Sequence, residues 1–385
     1  MGSRNHLRAT LTAAVVAVVL LLAGCSSPDD STPRVAPSPA AVPTKFGTVL
    51  SHSAPLADTV YAVTDGVKGC PSCVSLWRRT STASAWAPVT TLPRPKKAGY
   101  DDGSGPFPPV SAAALAMAAD GKHGYFAWDT DGLLATADGG RTWLPVKGPD
   151  GAARAKGTAV IDGDQVLLSM LDDCAGGDCP DQLWRAQLGR ADWHEVTVPL
   201  RKGEGLFDLH ARAGVLNGIA VSPGGESLLR SADSGDTWTR VTPEPNPCAG
   251  CNGTCTPYPT GADATVASCM TGDSWTDVVR ISTDGRTWSD LARPGVGEKH
   301  QVQWVVAVDD GHTFLIGTAS GVLRVDADGG ELEGVDGLRK GGYPGEVGFV
   351  TAKVGHILDE DGQLTRTEDG GRTWVEIAPA RSFDG

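Results

Sequence analysis

The chain has 385 residues, of which 40% are hydrophobic, and a formal net charge of −13 at pH 7. This length and composition support one large hydrophobic core or two smaller ones. An acidic surface lacks the basic footprint that nucleic acids and anionic lipid surfaces require. We therefore expect no nucleic-acid binding, and partners that are cationic, neutral sugars or proteins.

The N-terminal residues have the pattern of an export signal. A basic segment precedes an apolar run at residues 11–22, which is typical of a signal peptide rather than of a membrane span. The segment Leu22-Ala-Gly-Cys25 resembles a bacterial lipobox, and this implies cleavage before Cys25 and lipidation of that residue. An uncleaved apolar anchor is the alternative. We expect a lipoprotein signal peptide at residues 1–24 and a protein anchored by lipid to the extracytoplasmic face of the bacterial cell membrane.

The next segment, residues 25–45, is rich in Pro, Ser and Ala. This composition cannot build a hydrophobic core, and it predicts a flexible tether. A single folded domain is expected to follow at residues 46–385.

One motif recurs four times in this domain, at residues 136–143, 231–238, 282–288 and 367–374. Three copies read Ser/Thr-x-Asp-x-Gly-x-Thr-Trp, and the remaining copy, at residues 282–288, is one residue shorter. The Asp can accept hydrogen bonds from backbone N–H groups of a turn, the Gly tolerates a positive φ, and the Trp fills the space beneath the turn. The motif therefore predicts a turn between two antiparallel strands, built by four Asp and Trp pairs: Asp138 with Trp143, Asp233 with Trp238, Asp284 with Trp288, and Asp369 with Trp374.

Degenerate copies of the motif fill the remaining intervals. Two of them keep the tryptophan, at Trp86 and Trp193, and a third keeps only the turn, near Gly330. The copies are about 42 to 57 residues apart, which is the length of one four-stranded propeller blade. Short apolar runs bounded by Gly, Asp and Pro indicate strands, and no helical period follows the leader. The predicted fold is all-β, a seven-bladed β-propeller of four-stranded antiparallel blades.

The repeated motif resembles the Asp box, or BNR repeat, of sialidase-like propellers, and the resemblance extends over nearly the whole chain. In that family the motif is structural and lies away from the active site. Similar propellers include the photosystem II assembly-factor-like and sortilin-type proteins, which bind polypeptides. The resemblance therefore implies a non-enzymatic binding or assembly scaffold for an extracytoplasmic protein or glycan, which we expect to be a monomer.

The alternative is an exo-sialidase-like glycoside hydrolase. Sialidases need three arginines that clamp a carboxylate, a Tyr nucleophile assisted by Glu, and an Asp acid/base, with the first arginine in an Arg-Ile-Pro segment. The nearest segment here, Leu92-Pro-Arg94-Pro, departs from that pattern. An arginine does precede the turn in six units, but a clamp would not recur with a repeat. These arginines are Arg78, Arg185, Arg230, Arg280, Arg324 and Arg366.

The cysteines predict disulfide bonds. The chain has nine cysteines, and an even set of eight remains once Cys25 is set aside, as expected for an exported protein with disulfides. Zinc is the alternative because Cys-x-x-Cys occurs twice, although the two occurrences are too far apart for a compact ribbon. Four pairs are favoured, with the last four cysteines also open to two other pairings: Cys70–Cys73, Cys174–Cys179, Cys248–Cys251 and Cys255–Cys269.

In a blade whose strands are numbered outward from the channel, the motif lies between strands 3 and 4. The connections between strands 2 and 3, and between consecutive blades, lie on the opposite face, and we expect all eight cysteines there. Loops on a rigid scaffold carry function, and Tyr and Trp are frequent at binding hot spots. Protection from proteolysis, or local packing, is the alternative role of this face. Its candidate binding residues are Tyr100, Asp101, Asp102, Phe107, Tyr258, Trp275 and Tyr343.

We expect no cofactor and no metal site. Asp-Gly turns at residues 129–132, 326–329 and 359–362 resemble fragments of a calcium loop but lack its twelve-residue ligand series, and calcium binding there is left open. The eight histidines show no metal-ligand spacing. His210, His300 and His356 are interpreted as surface or turn residues.

Overall fold

A computed structural model gives the fold of the domain. It describes residues 46–65, 73–81, 85–93, 113–128, 132–146, 159–170, 182–190, 192–212, 214–222, 225–241, 255–258, 265–271, 276–282, 287–295, 300–309, 311–328, 332–338, 344–359 and 361–379. These residues form seven antiparallel sheets of four strands each, arranged as a seven-bladed β-propeller. The predicted fold class and blade number are confirmed.

Four consecutive strands build each blade. Blades 1 to 3 contain β1 (Val49–Leu56), β2 (Thr59–Thr64), β3 (Cys73–Arg79), β4 (Ala87–Pro93); β5 (Ala113–Met117), β6 (Gly124–Trp128), β7 (Gly132–Thr136), β8 (Leu144–Pro145); and β9 (Ala159–Asp162), β10 (Gln165–Met170), β11 (Gln182–Gln187), β12 (His194–Val196). Blades 4 and 5 contain β13 (Gly205–Arg212), β14 (Val215–Ser222), β15 (Gly225–Ser231), β16 (Thr239–Val241); and β17 (Cys255–Tyr258), β18 (Thr265–Thr271), β19 (Thr276–Ser282), β20 (Ser289–Ala292). Blades 6 and 7 contain β21 (Val302–Ala307), β22 (Thr313–Thr318), β23 (Gly321–Asp326), β24 (Glu333–Gly334); and β25 (Pro344–Phe349), β26 (Gly355–Asp359), β27 (Leu364–Thr367), β28 (Val375–Ala378).

The first strand of each blade is the innermost. β1 contacts β5, β5 contacts β9, and β21 contacts β25. The ring closes where β1 contacts β26 of blade 7. Because the strand order in both end blades follows the chain, no strand from one end of the domain completes the blade at the other. Side-chain and backbone contacts between blades 7 and 1 must therefore hold the ring closed.

Strand order assigns every connection to one of two faces. The turn face carries the connections between strands 1 and 2 and between strands 3 and 4. All of them are short, and none is longer than the connection formed by residues 80–86. The loop face carries the connections between strands 2 and 3 and between consecutive blades, and it includes residues 94–112, 146–158, 171–181 and 242–254.

The hydrophobic core lies between the blades. Six clusters of buried apolar side chains each join two neighbouring blades. Between blades 3 and 4, for example, Leu167 packs with Leu216 and Leu229. Full burial of a Leu side chain contributes about 1.5–3 kcal/mol, so these layers fix each blade against the next. None of the segments that the structure describes forms a helix able to cross a bilayer.

Candidate functional site

The Asp turns between third and fourth strands are closed by their own side chains. In blade 7, Thr367 Oγ1 donates a hydrogen bond to Asp369 Oδ1 (2.8 Å) and accepts one from the Gly371 N–H (2.9 Å). Asp369 also accepts hydrogen bonds from the backbone N–H (2.9 Å) and the hydroxyl (2.6 Å) of Thr373. Blades 2 and 4 repeat this arrangement around Asp138 and Asp233.

These hydrogen bonds hold the carboxylates in their ionised form. Burial acts to raise the pKa of Asp369, but the bonds from Thr373 and Thr367 outweigh it and lower the pKa to about 2. Bonds from Thr237 likewise lower the pKa of Asp233 to about 2. The carboxylate oxygens are thus occupied by the turns themselves, which gives the turns a structural role.

Glycine brings each turn against the preceding blade. Gly140 has a φ of 86°, and a Cβ there would lie 2.4 Å from Cδ2 of Leu76 in blade 1. Gly371 has a φ of 84°, and a Cβ there would lie 3.0 Å from Cδ1 of Leu315 in blade 6. Only a residue without a side chain combines this φ with this contact, so the Asp turns also join blades.

The tryptophans of the turns differ in one hydrogen bond. Trp143 and Trp374 donate their indole N–H to the carbonyls of Gly140 (2.9 Å) and Gly371 (3.1 Å). The buried indole nitrogen of Trp238 has no hydrogen-bond partner among the described residues. Trp288 lies half-buried just before β20, and its partner Asp284 lies outside the described residues.

Most of the predicted binding residues also lie outside the described residues, namely Tyr100, Asp101, Asp102, Phe107, Trp275 and Tyr343. Tyr258 ends β17, and only its backbone is described. The strands that flank the other six positions end or begin on the loop face, whereas Tyr258 lies at the turn-face end of β17, where the strand leads into the connection to β18. This placement of Tyr258 differs from the expected loop face, because β17 is only four residues long and ends at this tyrosine. The predicted binding surface is therefore neither supported nor contradicted by side-chain positions.

The cysteines are described only in part. Cys25, Cys70, Cys174, Cys179, Cys248 and Cys251 lie outside the described residues. Cys73 and Cys255 were expected in loops, but each is the first residue of a strand, because β3 and β17 begin earlier than their apolar runs. Backbone pairing places Cys255 directly opposite Cys269 on β18, as the favoured pairing of these two requires, and the disulfide itself stays a prediction. The described residues contain no group of three or more His, Cys, Asp or Glu that could hold a metal.

The arginines of the third strands form local contacts. The contacts are Arg185 with Asp236 (2.5 Å), Arg280 with Asp290 (3.2 Å), Arg324 with Glu333 (3.4 Å), and Arg366 with Glu368 (2.8 Å). Each of these four guanidinium groups contacts a carboxylate of its own blade or of the turn in the next blade. They do not converge on a common point as a carboxylate clamp would.

A polar cluster occupies the junction of blades 7 and 1, which is otherwise packed with apolar side chains. This seam cluster consists of His52, Glu346, His356 and Arg366. His52 Nδ1 lies 2.7 Å from Glu346 Oε2, in ion-pair contact but without hydrogen-bond geometry. The ring centroids of His52 and His356 are 5.9 Å apart, and His356 lies directly opposite Arg366 in the sheet.

The sequence-based interpretation of His356 is wrong. This residue lies in β26 with only 1% of its surface exposed, because every residue of this short strand is buried. Burial, together with the nearby charges of His52 and Arg366, lowers the pKa of His356 from 6.5 to about 2. His210 is exposed, as expected, but it lies in β13, and His300 is half-buried.

Comparisons with known proteins support the fold alone. No family model and no curated protein matches the chain. Among solved structures, Sqt1 of Saccharomyces cerevisiae has 10% identity over 87% of this chain and 86% of its own, with a TM-score of 0.52. YCF48 from Cyanidioschyzon merolae has 14% identity over 71% and 88%, with a TM-score of 0.48.

Similar structures include a binding protein and an enzyme. A structure of YCF48 bound to D1 peptide has 18% identity over 69% of this chain and 79% of its own (TM-score 0.44). The GH74 xyloglucanase from Xanthomonas campestris has 14% identity over 87% and 74% (TM-score 0.32). A fold does not determine function, so the function of this chain must be argued from its own residues.

Proposed function

We propose that the protein is a lipid-tethered scaffold on the extracytoplasmic face of a bacterial membrane, where it binds a protein or glycan partner on its loop face without turnover. The observation that carries this proposal is the unequal length of the connections on the two faces. The loop face includes the connections at residues 94–112, 171–181 and 242–254, whereas those of the turn face are short. Long loops on a rigid scaffold are the usual place for binding residues.

The turn face offers less to a ligand because its polar groups are already paired. Within blades 2, 4 and 7 the two turns of the face are joined by backbone hydrogen bonds: Gly139 N–H to Lys122 O (2.8 Å), Ser234 N–H to Gly214 O (3.1 Å), and Gly370 N–H to Lys353 O (3.0 Å). The Asp carboxylates are also used within the turns. A partner would find few unpaired groups there, which favours the opposite face.

The engaged arginines weigh against the sialidase-like alternative. A carboxylate clamp needs arginines that are free to meet the substrate, but Arg185 and Arg280 are bound to Asp236 and Asp290. Fluorogenic sialosides and other glycosides test this alternative directly. Measurable hydrolysis at a rate proportional to enzyme concentration would replace the scaffold with a glycoside hydrolase.

The membrane location rests on the lipobox-like segment that ends at Cys25. Cys25→Ser should release the protein from the membrane fraction and abolish lipid labelling. Retention of the variant in that fraction with unchanged labelling would contradict the anchor. Thiol alkylation of the denatured, non-reduced chain should label none of the other eight cysteines, as expected for an exported protein with disulfides.

Paired substitutions test the binding face. Tyr100→Ala/Phe107→Ala and Trp275→Ala/Tyr343→Ala should each weaken cross-linking to the partner in intact cells, because aromatic side chains dominate binding hot spots. The matched control is Leu144→Ala/Val375→Ala, which removes two apolar side chains, 69% and 66% exposed, that follow the Asp turns. Its cross-linking should be unchanged. Equal loss in the control, or capture that survives both loop-face pairs at unchanged Tm, would overturn this assignment.

A further inference from the structure

The seam cluster contains more hydrogen-bond donors than acceptors. Among the described residues, neither ring nitrogen of the buried His356 has a hydrogen-bond partner, and neither does Nε of Arg366. A buried, unpaired polar group costs about 1–3 kcal/mol. Native proteins pair nearly all such groups with protein atoms, water or a ligand. With Nδ1 of His52, which contacts Glu346 without hydrogen-bond geometry, four such atoms lie at one junction, and they indicate an occupant.

The acceptors nearby are already engaged. Glu346 accepts a hydrogen bond from Ser51 Oγ (3.1 Å) and lies in ion-pair contact with His52. Glu368 accepts the Nη2–H of Arg366 (2.8 Å). The unpaired groups that remain are the guanidinium Nε–H and the imidazole, which donates from one nitrogen when neutral and from both when protonated. The missing partner must therefore accept hydrogen bonds from Arg366 Nε–H and from an imidazole N–H, and from both imidazole nitrogens once His356 is protonated.

The surrounding charge favours a negative occupant. The charged and titratable groups that face His356 are His52 on β1, Glu346 on β25 and Arg366 on β27. Burial and the nearby Arg366 also lower the pKa of the Arg79 guanidinium, which places a further cation on β3 close to the cluster. Four cationic or protonatable groups, His52, His356, Arg366 and Arg79, thus meet two carboxylates, Glu346 and Glu368, at the junction.

The inner strand leaves room beside the imidazole. Gly348 lies directly opposite His356 in the sheet, so a side chain there would project to the same side as the imidazole. A Cβ built on Gly348 would meet no heavy atom within 4 Å. His52, across the junction, is paired with the small Ala62. Glu346 is 34% exposed, which gives solvent a route to the cluster.

We propose that the junction of blades 7 and 1 is a proton-coupled binding site for a small oxyanion, carboxylate or tetrahedral, held by Arg366 Nε–H and by His356 after the imidazole takes up one proton from solvent. His52 forms the opposite wall. This site is independent of the partner-binding role of the loop face. Occupation would pair the buried donors and link blade 7 to blade 1 at the place where no shared strand closes the ring.

Proton coupling gives the site a distinctive pH dependence. Without a ligand, the low pKa of His356 keeps the imidazole neutral at physiological pH. An anion beside the ring stabilises the imidazolium and raises this pKa. Binding is then accompanied by uptake of one proton. The affinity should increase by up to about tenfold for each unit that the pH falls below the pKa of the occupied state.

The test uses the purified full-length chain in cationic buffers with chloride as the only other anion. Sulfate, which does not titrate between pH 5.5 and 7.5, and acetate are added separately, and binding is measured by calorimetry and by the saturable part of the rise in Tm. We expect affinity to be about 10- to 100-fold higher at pH 5.5 than at pH 7.5. A stronger response to sulfate identifies a tetrahedral ligand, and a stronger response to acetate a carboxylate.

Two variants and a matched control decide the outcome. His356→Leu, or His356→Gln if the first variant folds poorly, should weaken saturable binding at least tenfold at pH 5.5 and remove its pH dependence. Asn217→Leu is the control, because Asn217 is a buried residue opposite the third-strand Arg230 in blade 4. It should bind as the unchanged chain does. A rise in Tm that is linear in salt and equal in all variants, or binding without pH dependence, would mean an adventitious ion only and would overturn the proposal.

Discussion

Blades 3 and 7 carry the same third-strand arginine, but the junctions that follow them are built differently. In blade 3, Arg185 lies opposite the fully buried Leu167 and reaches the Asp turn of blade 4, where it contacts Asp236 (2.5 Å) and the Ser234 carbonyl (3.3 Å). In blade 7, Arg366 lies opposite His356. The difference shows that the same repeated side chain can join two blades at one junction and stay within its own blade at another.

Blade 1 presents no Asp turn to Arg366. Its third and fourth strands are joined by residues 80–86, which contain no Asp. Arg366 pairs with Glu368 of its own blade. Trp86, the tryptophan of this degenerate turn, instead donates its indole N–H to the Ile377 carbonyl of blade 7 (2.7 Å). At the closing junction, the hydrogen bond from Trp86 to the backbone of blade 7 therefore stands where blades 3 and 4 have a contact between an arginine and an Asp turn. The interior of this junction contains the polar seam cluster.

Exchanging the residues opposite the two arginines, at the junction of blades 3 and 4 and at the junction of blades 7 and 1, should change the free energy of unfolding the most. Leu167→His places an unpaired imidazole in an apolar layer and should cost about 3–5 kcal/mol, from lost packing and an unsatisfied polar group. The reverse change, His356→Leu, should cost less than about 1 kcal/mol or stabilise the fold, because it removes unpaired polar atoms. Urea unfolding measures both. Equal destabilisation by the two changes would show that the junctions are not distinguished by these residues.

Removing an Asp turn should have the next largest effect. Asp369→Ala deletes the acceptor of the Thr373 backbone and hydroxyl bonds, and it should lower the free energy of unfolding by about 1–3 kcal/mol. Asp192→Ala, in the degenerate turn of blade 3, changes an exposed carboxylate and should stay within about 0.5 kcal/mol. Loss of partner binding in Asp369→Ala at unchanged stability would place a ligand on the turn face.

Acid should weaken the closing junction before it weakens the Asp turns. The pKa of His356 is about 2 in the folded chain and 6.5 when unperturbed, so the unfolded chain binds more protons below pH 6.5. The stability contributed by the neutral imidazole is complete above pH 6.5 and should fall by about 2 kcal/mol by pH 5.

The Asp turns should respond in a lower pH window. The pKa of Asp369 falls from 3.8 to about 2 on folding, so its contribution is present above pH 3.8 and is lost as the pH drops toward 2. Urea unfolding from pH 7.5 to 4, in chloride without oxyanions, separates the two groups. In His356→Leu the free energy of unfolding should change less with pH over this range. An unchanged pH dependence in that variant would show that another group titrates.

The smallest effect should separate two tryptophans of the Asp turns. Trp374→Phe removes the indole that donates to the Gly371 carbonyl at 3.1 Å. The indole of Trp238 has no hydrogen-bond partner among the described residues. Trp374→Phe should therefore lower the free energy of unfolding by about 1 kcal/mol more than Trp238→Phe does. Thermal unfolding of the two variants, matched in the volume removed, measures this difference. Equal costs would indicate a partner for Trp238 beyond the described residues.

The repeated architecture could be predicted from the sequence because each blade contains a complete or degenerate copy of the same short motif. Asp, Gly and Trp at fixed spacing define a turn whose hydrogen bonds close within eight residues, so the motif at residues 367–374 predicts its own geometry. The seam cluster could not be predicted in this way. His52 and His356 lie at opposite ends of the chain, and nothing near either residue indicates that ring closure brings them together. The contact of His52 with Glu346 and the approach of the two imidazole rings exist only in the closed ring.

The chain enters the ring on the loop face, because β1 begins there at Val49. Phe46 contacts Trp77 and Trp86, with ring centroids 5.2 and 4.9 Å away, so the start of the domain is held against blade 1. With a lipid on Cys25, as we propose, the predicted tether would span at most roughly 70 Å if fully extended. The anchor would then limit the distance between the loop face and the membrane. A partner in the same membrane would meet that face at an effective concentration in the millimolar range, on the order expected for short linkers, so that even weak loop contacts would suffice for capture.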